Sequence, residues 1–326
     1  MKIITTILFL ALLAGVWPGC SKKSGAAAGP PEKQIIGTDA ASEPIALKLA
    51  WLPGKRYSFR IETVRGTDFT PPGSPTNRTV VLAISQDYSL SAGATVDGVQ
   101  ELDMEITAQR FFYQFTEKGY LISDSRQSAA QDAADPISPF LRQLLNKPFK
   151  CFVADGALVR TEGLDALTAD VQNGDPKLKP LVQGVLNENN LKIMFDTLNG
   201  SQPDAAVKAG DSWPIHLEMD PYGANALIQD GHNTFTNWDM CDSRQCIHTL
   251  YQGNFSPKAG EPDGSKRTEI QDGTLSREAW FDPQLGMLVR SSTVEHLNGI
   301  ITASDQTLPA QINVTSNFRL LSVENQ

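Results

Sequence analysis

The chain has 326 residues, 40% of them hydrophobic, and a formal net charge of −9. That length is enough to bury a sizeable core, and an acidic balance with no cluster of Lys or Arg to reverse it excludes nucleic acid as a partner. The four histidines form no H-x-H or H-E-x-x-H pattern, and neither a Gly-x-Ser-x-Gly elbow nor a phosphate-cradling glycine loop occurs, so no metal or cofactor is expected.

The chain opens with Lys2 and an almost unbroken apolar run from Ile3 to Val16, closing on Gly19-Cys20. That run falls short of the roughly 20 residues that span a bilayer and reads as an export signal. Val16-Trp17-Pro18-Gly19-Cys20 resembles the lipobox of bacterial lipoproteins, departing from it at Trp17 and Pro18. The resemblance implies a signal peptide over 1–19 and a diacylglycerol on the thiol of Cys20, which would fasten the protein to membrane lipid. Ser21, where an Asp would retain such a protein at the inner membrane, resembles the outer-membrane sorting pattern. The alternatives are a cleaved secretory signal without lipid and an uncleaved N-terminal anchor. Residues 20–44 are rich in Ser, Gly, Ala, Pro and Lys and are expected to be a flexible tether. Residues 45–326 are expected to form a single β-rich domain.

Strands come first. Tyr57, Phe59, Ile61 and Thr63 alternate with Ser58, Arg60 and Glu62, the period of a strand with one wet face. Thr79 to Ile84 is a continuous apolar strand. Asp97-Gly98 turns into a strand from Val99 to Thr107, and a separate strand runs from Arg110 to Thr116. Helices follow between 136 and 198. Asp135 and Pro136 open one whose stripe is Ile137, Phe140, Leu141, Leu144 and Leu145, stopped by Pro148. Phe149–Val153 and Leu158–Thr161 form a hairpin around Asp155-Gly156, and a short helix carries Leu164, Leu167 and Val171. Leu178 to Leu186 and Leu191 to Leu198 recur at helical spacing. Strands return with 215–222, 226–228, 247–255 and 273–281, then 288–297 and 311–323. Eight Asn-Gly or Asp-Gly pairs fit many chain reversals, hence antiparallel pairing. No fixed-period repeat is present.

Strands, a helical block and strands again predict a mainly β (α+β) fold: one curved antiparallel sheet or half-barrel with the helical block packed on its concave face. This organisation over Lys48–Val323, with Gly156 and Gly163 leading into a helix in the Cys151–Leu167 stretch, resembles the half-barrel of periplasmic lipoprotein-carrier proteins and families of uncharacterised bacterial lipoproteins. The resemblance implies a cavity between sheet and helices that can hold acyl chains. Phe140, Leu144, Phe195 and Leu198 are the residues expected to line it.

The expected activity is therefore non-catalytic: binding or carrying a lipid or other apolar ligand in the cell envelope. One alternative is an envelope protein-protein or structural module, which needs an exposed apolar patch or an uncovered sheet edge. Another is a hydrolase. Gly210-Asp211-Ser212 resembles the nucleophile block of a lipase-like group, although its Asp-x-x-His partner is missing, and Asp103 and Glu105 would share one strand face as a glycosidase pair could. Export places Cys151, Cys241 and Cys246 in an oxidising compartment. Cys241 and Cys246 bracket a short polar loop and are the candidate disulfide, with Cys151 a buried thiol; a bridge from Cys151 to either stays open. Asp239 and Asp242 flank Cys241 without the ligand set of a calcium loop.

Overall fold

The computed structural model describes residues 43–114, 119–128, 138–172, 186–199, 202–221, 224–259, 268–303 and 306–326. Cys20 and the tether, the Asp135-Pro136 helix start and the helix expected over 178–185 lie outside the described residues.

The protein is built on one open antiparallel sheet of twelve strands. They are β1 (Lys55–Phe69), β2 (Arg78–Val96), β3 (Val99–Gln114), β4 (Tyr120–Asp124), β5 (Phe149–Ala154) and β6 (Ala157–Glu162), then β7 (Ser212–Met219), β8 (Leu227–Cys241), β9 (Arg244–Pro257), β10 (Thr268–Asp282), β11 (Met287–Ala303) and β12 (Gln306–Asn325). Their order is β6-β5-β3-β2-β1-β12-β11-β10-β9-β8-β7, with β4 paired to β3 off this path. Almost every neighbour is also a neighbour in sequence. Two pairings depart from this: β3 with β5, which skips β4, and β1 with β12, from Lys55↔Asn325 to Phe69↔Ala310, which joins the first and last strands in the middle of the sheet.

Each long strand alternates between a buried inner face and a wet outer face. In β10, Ile270, Leu275, Arg277, Ala279 and Phe281 are buried while Glu269, Thr274, Ser276 and Glu278 are exposed. The strands expected at 99–107 and 110–116 are one strand, β3. The register slips where Asp87 pairs Ala108 and Tyr88 pairs Ile106, so Thr107 is an extra residue. This bulge moves the buried phase from Leu102, Met104 and Ile106 to Gln109, Phe111 and Tyr113, which on sequence reads as a break.

The Asp-Gly and Asn-Gly signal divides. Asp97-Gly98 and Asp155-Gly156 form turns, with φ of 50° and 79° and of 50° and 81°. Gly231, Gly273 and Gly299 instead lie inside strands. There, a Cβ on Gly299 would sit 2.6 Å from the Glu269 carbonyl oxygen, so these glycines mark close approach rather than reversal.

The helical block on the concave face is corrected. Among the described residues there are three short helices, α1 (Ser138–Gln143), α2 (Leu164–Gln172) and α3 (Glu188–Asn199). A block that small cannot roof twelve strands. The inner face is closed instead by two side-chain clusters. One joins Tyr57, Phe59, Tyr88, Leu90 and Met104 to Leu144, Leu164, Leu191 and Phe195 from the helical region. The other, formed by Trp213, Phe235, Phe255, Ile270, Leu297 and Ile312, takes no helical residue among the described ones. Residues 43–51 complete the closure: Ile45 pairs with Val207, Leu47 enters the second cluster, and the Ala50 N–H donates to the Gly286 carbonyl at 2.8 Å.

Helix α3 runs beside the edge strand β6. Asn199 Nδ2 donates to the Asp155 carbonyl at 2.8 Å, and a Cβ on Gly156 would stand 2.4 Å from the Asn199 amide oxygen. Thr161 Oγ1 donates to Glu188 at 3.3 Å at the other end of the helix. Leu191, Phe195 and Leu198 point inward.

Candidate functional site

Between the two clusters the inner face is polar. Thr63, Ser316, Thr293, Arg277, Tyr251 and Asn233 stand directly opposite one another across β1, β12, β11, β10, β9 and β8. In the adjacent row Arg65, Val314 and Glu295 face one another on β1, β12 and β11. One strand separates the two charges, about 10 Å of backbone spacing. Burial pushes Arg65 down to about 10 and Glu295 up to about 7, each opposed by the other's charge. Arg65 is 3% exposed, and its Nε and Nη2 have no hydrogen-bond partner.

A cavity of about 290 Å³ opens where α3 stands off this polar region. The sheet contributes Ile61, Thr63, Ile84, Gln86, Tyr88, Leu288, Thr293 and Phe318, and the α3 side Leu186, Leu191, Ile193, Met194 and Leu198. Arg277 lines it too, and also lines a smaller void with Leu47, Trp213 and Phe281. Space of this size departs from the close packing of the two clusters, where voids larger than a water are rare.

Of the four residues expected to line a cavity, Leu198 does so. Leu144 and Phe195 are fully buried in the first cluster, with Phe195 edge-on to Trp51 at 6.1 Å between ring centroids. The side chain of Phe140 lies outside the described residues. Sequence reading missed Gln86 and Arg277, although a signal was present. Arg277 is in phase with Leu275, Ala279 and Phe281, as Arg65 is with Tyr57, Phe59 and Ile61, and a cation in the apolar phase of a strand points inward.

The candidate disulfide is also corrected: Cys241 and Cys246 are free, as is Cys151. Asp242 and Ser243, with φ of 48° and 66°, make a two-residue turn that sets Cys241 opposite Arg244 and Cys246 opposite Asp239. The cysteines are thus a diagonal pair, about 7–8 Å apart in such a ladder and too far for a bridge that needs Cα atoms within about 6.8 Å. Burial pushes the Cys246 thiol up to about 12 and raises Cys241 as well. Cys151 is fully buried in β5.

Ser212 opens β7, and its hydroxyl shares a hydrogen bond with Thr234 Oγ1 at 2.7 Å. His216 lies four positions along the same strand, about 13 Å away in an extended backbone, and is held by Asp230 at 2.6 Å. Asp103 and Glu105 lie on the outer face among cations: Glu105 meets Arg56 at 2.7 Å, while Lys150 lies 3.9 Å from Asp103 and bridges Glu101. Asp239 accepts from the Trp280 indole at 3.2 Å, and Asp242 meets Arg319 at 3.1 Å. Among the described residues no cluster of His, Cys, Asp and Glu could hold a metal.

No family model matches the chain, and no curated protein matches it. Three solved structures illustrate what it is similar to. A protein with YmcC-like fold from Bacteroides fragilis NCTC 9343, described as exported, is 10% identical over 86% of this chain and 99% of its own, with a TM-score of 0.27. An outer membrane channel from Pseudomonas putida F1 is 7% identical over 88% and 100%, at a TM-score of 0.26. A mutant porin of Rh. blastica is 6% identical over 82% and 99%, at 0.20. Scores of this size assign the chain to none of these folds.

Proposed function

We propose that the protein is a non-catalytic cell-envelope lipoprotein, fastened to the outer membrane through Cys20, that binds a lipid-like apolar ligand between α3 and the inner face of the sheet. The observation that supports this reading is the cavity of about 290 Å³ walled by Ile61, Ile84, Leu186, Met194, Leu288 and Phe318. Small-molecule sites begin at about 300 Å³ and combine apolar walls with a few polar groups, which is the composition found here. An apolar guest gains about 25 cal/mol for each Å² it removes from water, enough for useful affinity without any covalent chemistry.

Native mass spectrometry of the intact protein, extracted from its own envelope and freed of detergent, tests the reading. A stoichiometric co-purified lipid-like molecule is the expected result, lost when Met194→Trp fills the cavity. Protein that is empty on extraction and takes up no alkyl chain when titrated with decanol overturns it.

A further inference from the structure

Arg277 differs from the cations of the outer face. Arg60 is clasped by Asp87 at 2.6 Å, and Arg56 meets Glu105 at 2.7 Å. Arg277 is 8% exposed, and among the described residues no ion pair or hydrogen bond holds its guanidinium. Its one recorded neighbour of opposite character is the ring of Tyr251, 5.6 Å away. The residues directly beside it in the polar row, Thr293 and then Ser316, are neutral hydroxyls. A buried cation without a counter-charge is costly, and the cost is relieved when a carboxylate arrives to form a charge-assisted, two-point hydrogen bond. Burial accordingly pushes Arg277 down to about 10, still charged at neutral pH.

The rest of the cavity restricts what the anion can be attached to. Gln86, on β2, lines the far side and is 7% exposed; its Nε2 is without a partner, so that end offers a neutral donor and no second charge. Between the two ends Ile61, Ile84, Met194, Leu288 and Phe318 give apolar wall, with the neutral side chains of Thr63, Asn190, Thr293 and Asn317 among them and no second charge. A volume of about 290 Å³ stands at the lower end of small-molecule sites. One alkyl chain of about ten carbons fits a site of this size.

We infer that the ligand is a carboxylate amphiphile, its head paired with Arg277 and its chain laid against Ile61, Ile84, Met194 and Phe318. This rests on the reading of the cavity as a ligand site and adds the charge of the occupant's head.

The test uses the full chain carrying Cys20→Ser, which has no thiol to acylate, titrated calorimetrically with decanoate, decanol and decyltrimethylammonium below their micellar concentrations. Decanoate is expected to bind at least about tenfold more tightly than decanol, the difference a single charge-assisted hydrogen bond supplies, and the ammonium probe more weakly than both. Arg277→Met should abolish the preference, and Arg277→Lys should keep part of it. Equal affinities for decanoate and decanol in the Arg277 protein overturn this inference while leaving the cavity's role intact, and need no variant to fold. A preference that survives Arg277→Met in a folded protein also overturns it. Failure of all three probes to bind overturns both readings.

Discussion

Arg65 and Glu295 show how a few buried side chains set the response of this protein to pH. Burial holds the Glu295 carboxyl at about 7 against an ordinary value of 4.5, with Arg65 pulling the other way. The folded state therefore binds the proton more tightly than the unfolded chain, so this group's contribution is favourable at low pH and is lost as pH rises from 4.5 to 7. Glu295→Gln should remove that loss, raising stability at pH 8 by about 1 kcal/mol once solvent screening is allowed for; urea midpoints of the two proteins should converge near pH 4. The thiols behave analogously. Burial pushes Cys151 and Cys246 up to about 12, so iodoacetamide at pH 8 should leave both unlabelled until the protein is unfolded. Gly253 acts through space rather than charge. A Cβ there would lie 2.0 Å from the Tyr251 hydroxyl and 2.5 Å from the Asp230 carbonyl oxygen, and the Tyr251 ring leans over the space that Gly253 and Gly231 leave. Gly253→Ala should cost about 1–3 kcal/mol, measurable by thermal or urea denaturation.

At the scale of elements, α3 does two things that oppose each other. Its inward stripe of Leu191, Phe195 and Leu198 binds it to the first cluster, while Met194 and Ile193 face open space. Phe195→Ala should therefore destabilise the protein by about 3–5 kcal/mol, as deletion of a fully buried aromatic does. Met194→Trp adds volume where there is room and should lower stability little while removing ligand uptake. That contrast separates a packing role from a binding role on one helix. The helix also guards β6, an edge strand whose unpaired backbone would otherwise invite a second chain. Asn199→Ala deletes the hydrogen bond to the Asp155 carbonyl, and amide exchange across α3 should quicken more than in the central strands.

At the scale of the molecule, the sheet depends on a pairing that spans almost the whole chain: β1 meets β12 from Lys55↔Asn325 onward. Such distant closure makes folding slow. Deleting residues 306–326 would leave β1 and β11 as two long unpaired edges in the centre, and the expected outcome is an aggregated chain without a cooperative melt, read by size-exclusion chromatography and circular dichroism. The outward faces also bear on topology. Arg56, Arg60, Glu62 and Asp68 on β1, and Gln311, Asn313 and Arg319 on β12, face away from the core. A lipid-facing barrel needs an apolar band there, so these strands are built for water outside. Much of this was legible in the chain. Alternation in Tyr57–Thr63 marked a half-buried strand, Asp155-Gly156 a hairpin, and Leu191–Leu198 a helix, because period and turn chemistry are local properties that neighbours reinforce. The cavity was less so. Hydrophobic stripes nominated Phe195 and Leu144, but a stripe records only that a side chain leaves water, and both leave it into solid packing. The sequence by itself determined the dominance of β structure and its antiparallel sense, but not the full length of β2 and β8 or the presence of β4. Tertiary structure alone decided that β1 joins β12, that Thr107 is an extra residue in one continuous strand, that the two hairpin cysteines sit diagonally, and that Arg277 borders empty space. The reason is that register, closure and voids arise between segments far apart in the chain, where no local pattern records the distance.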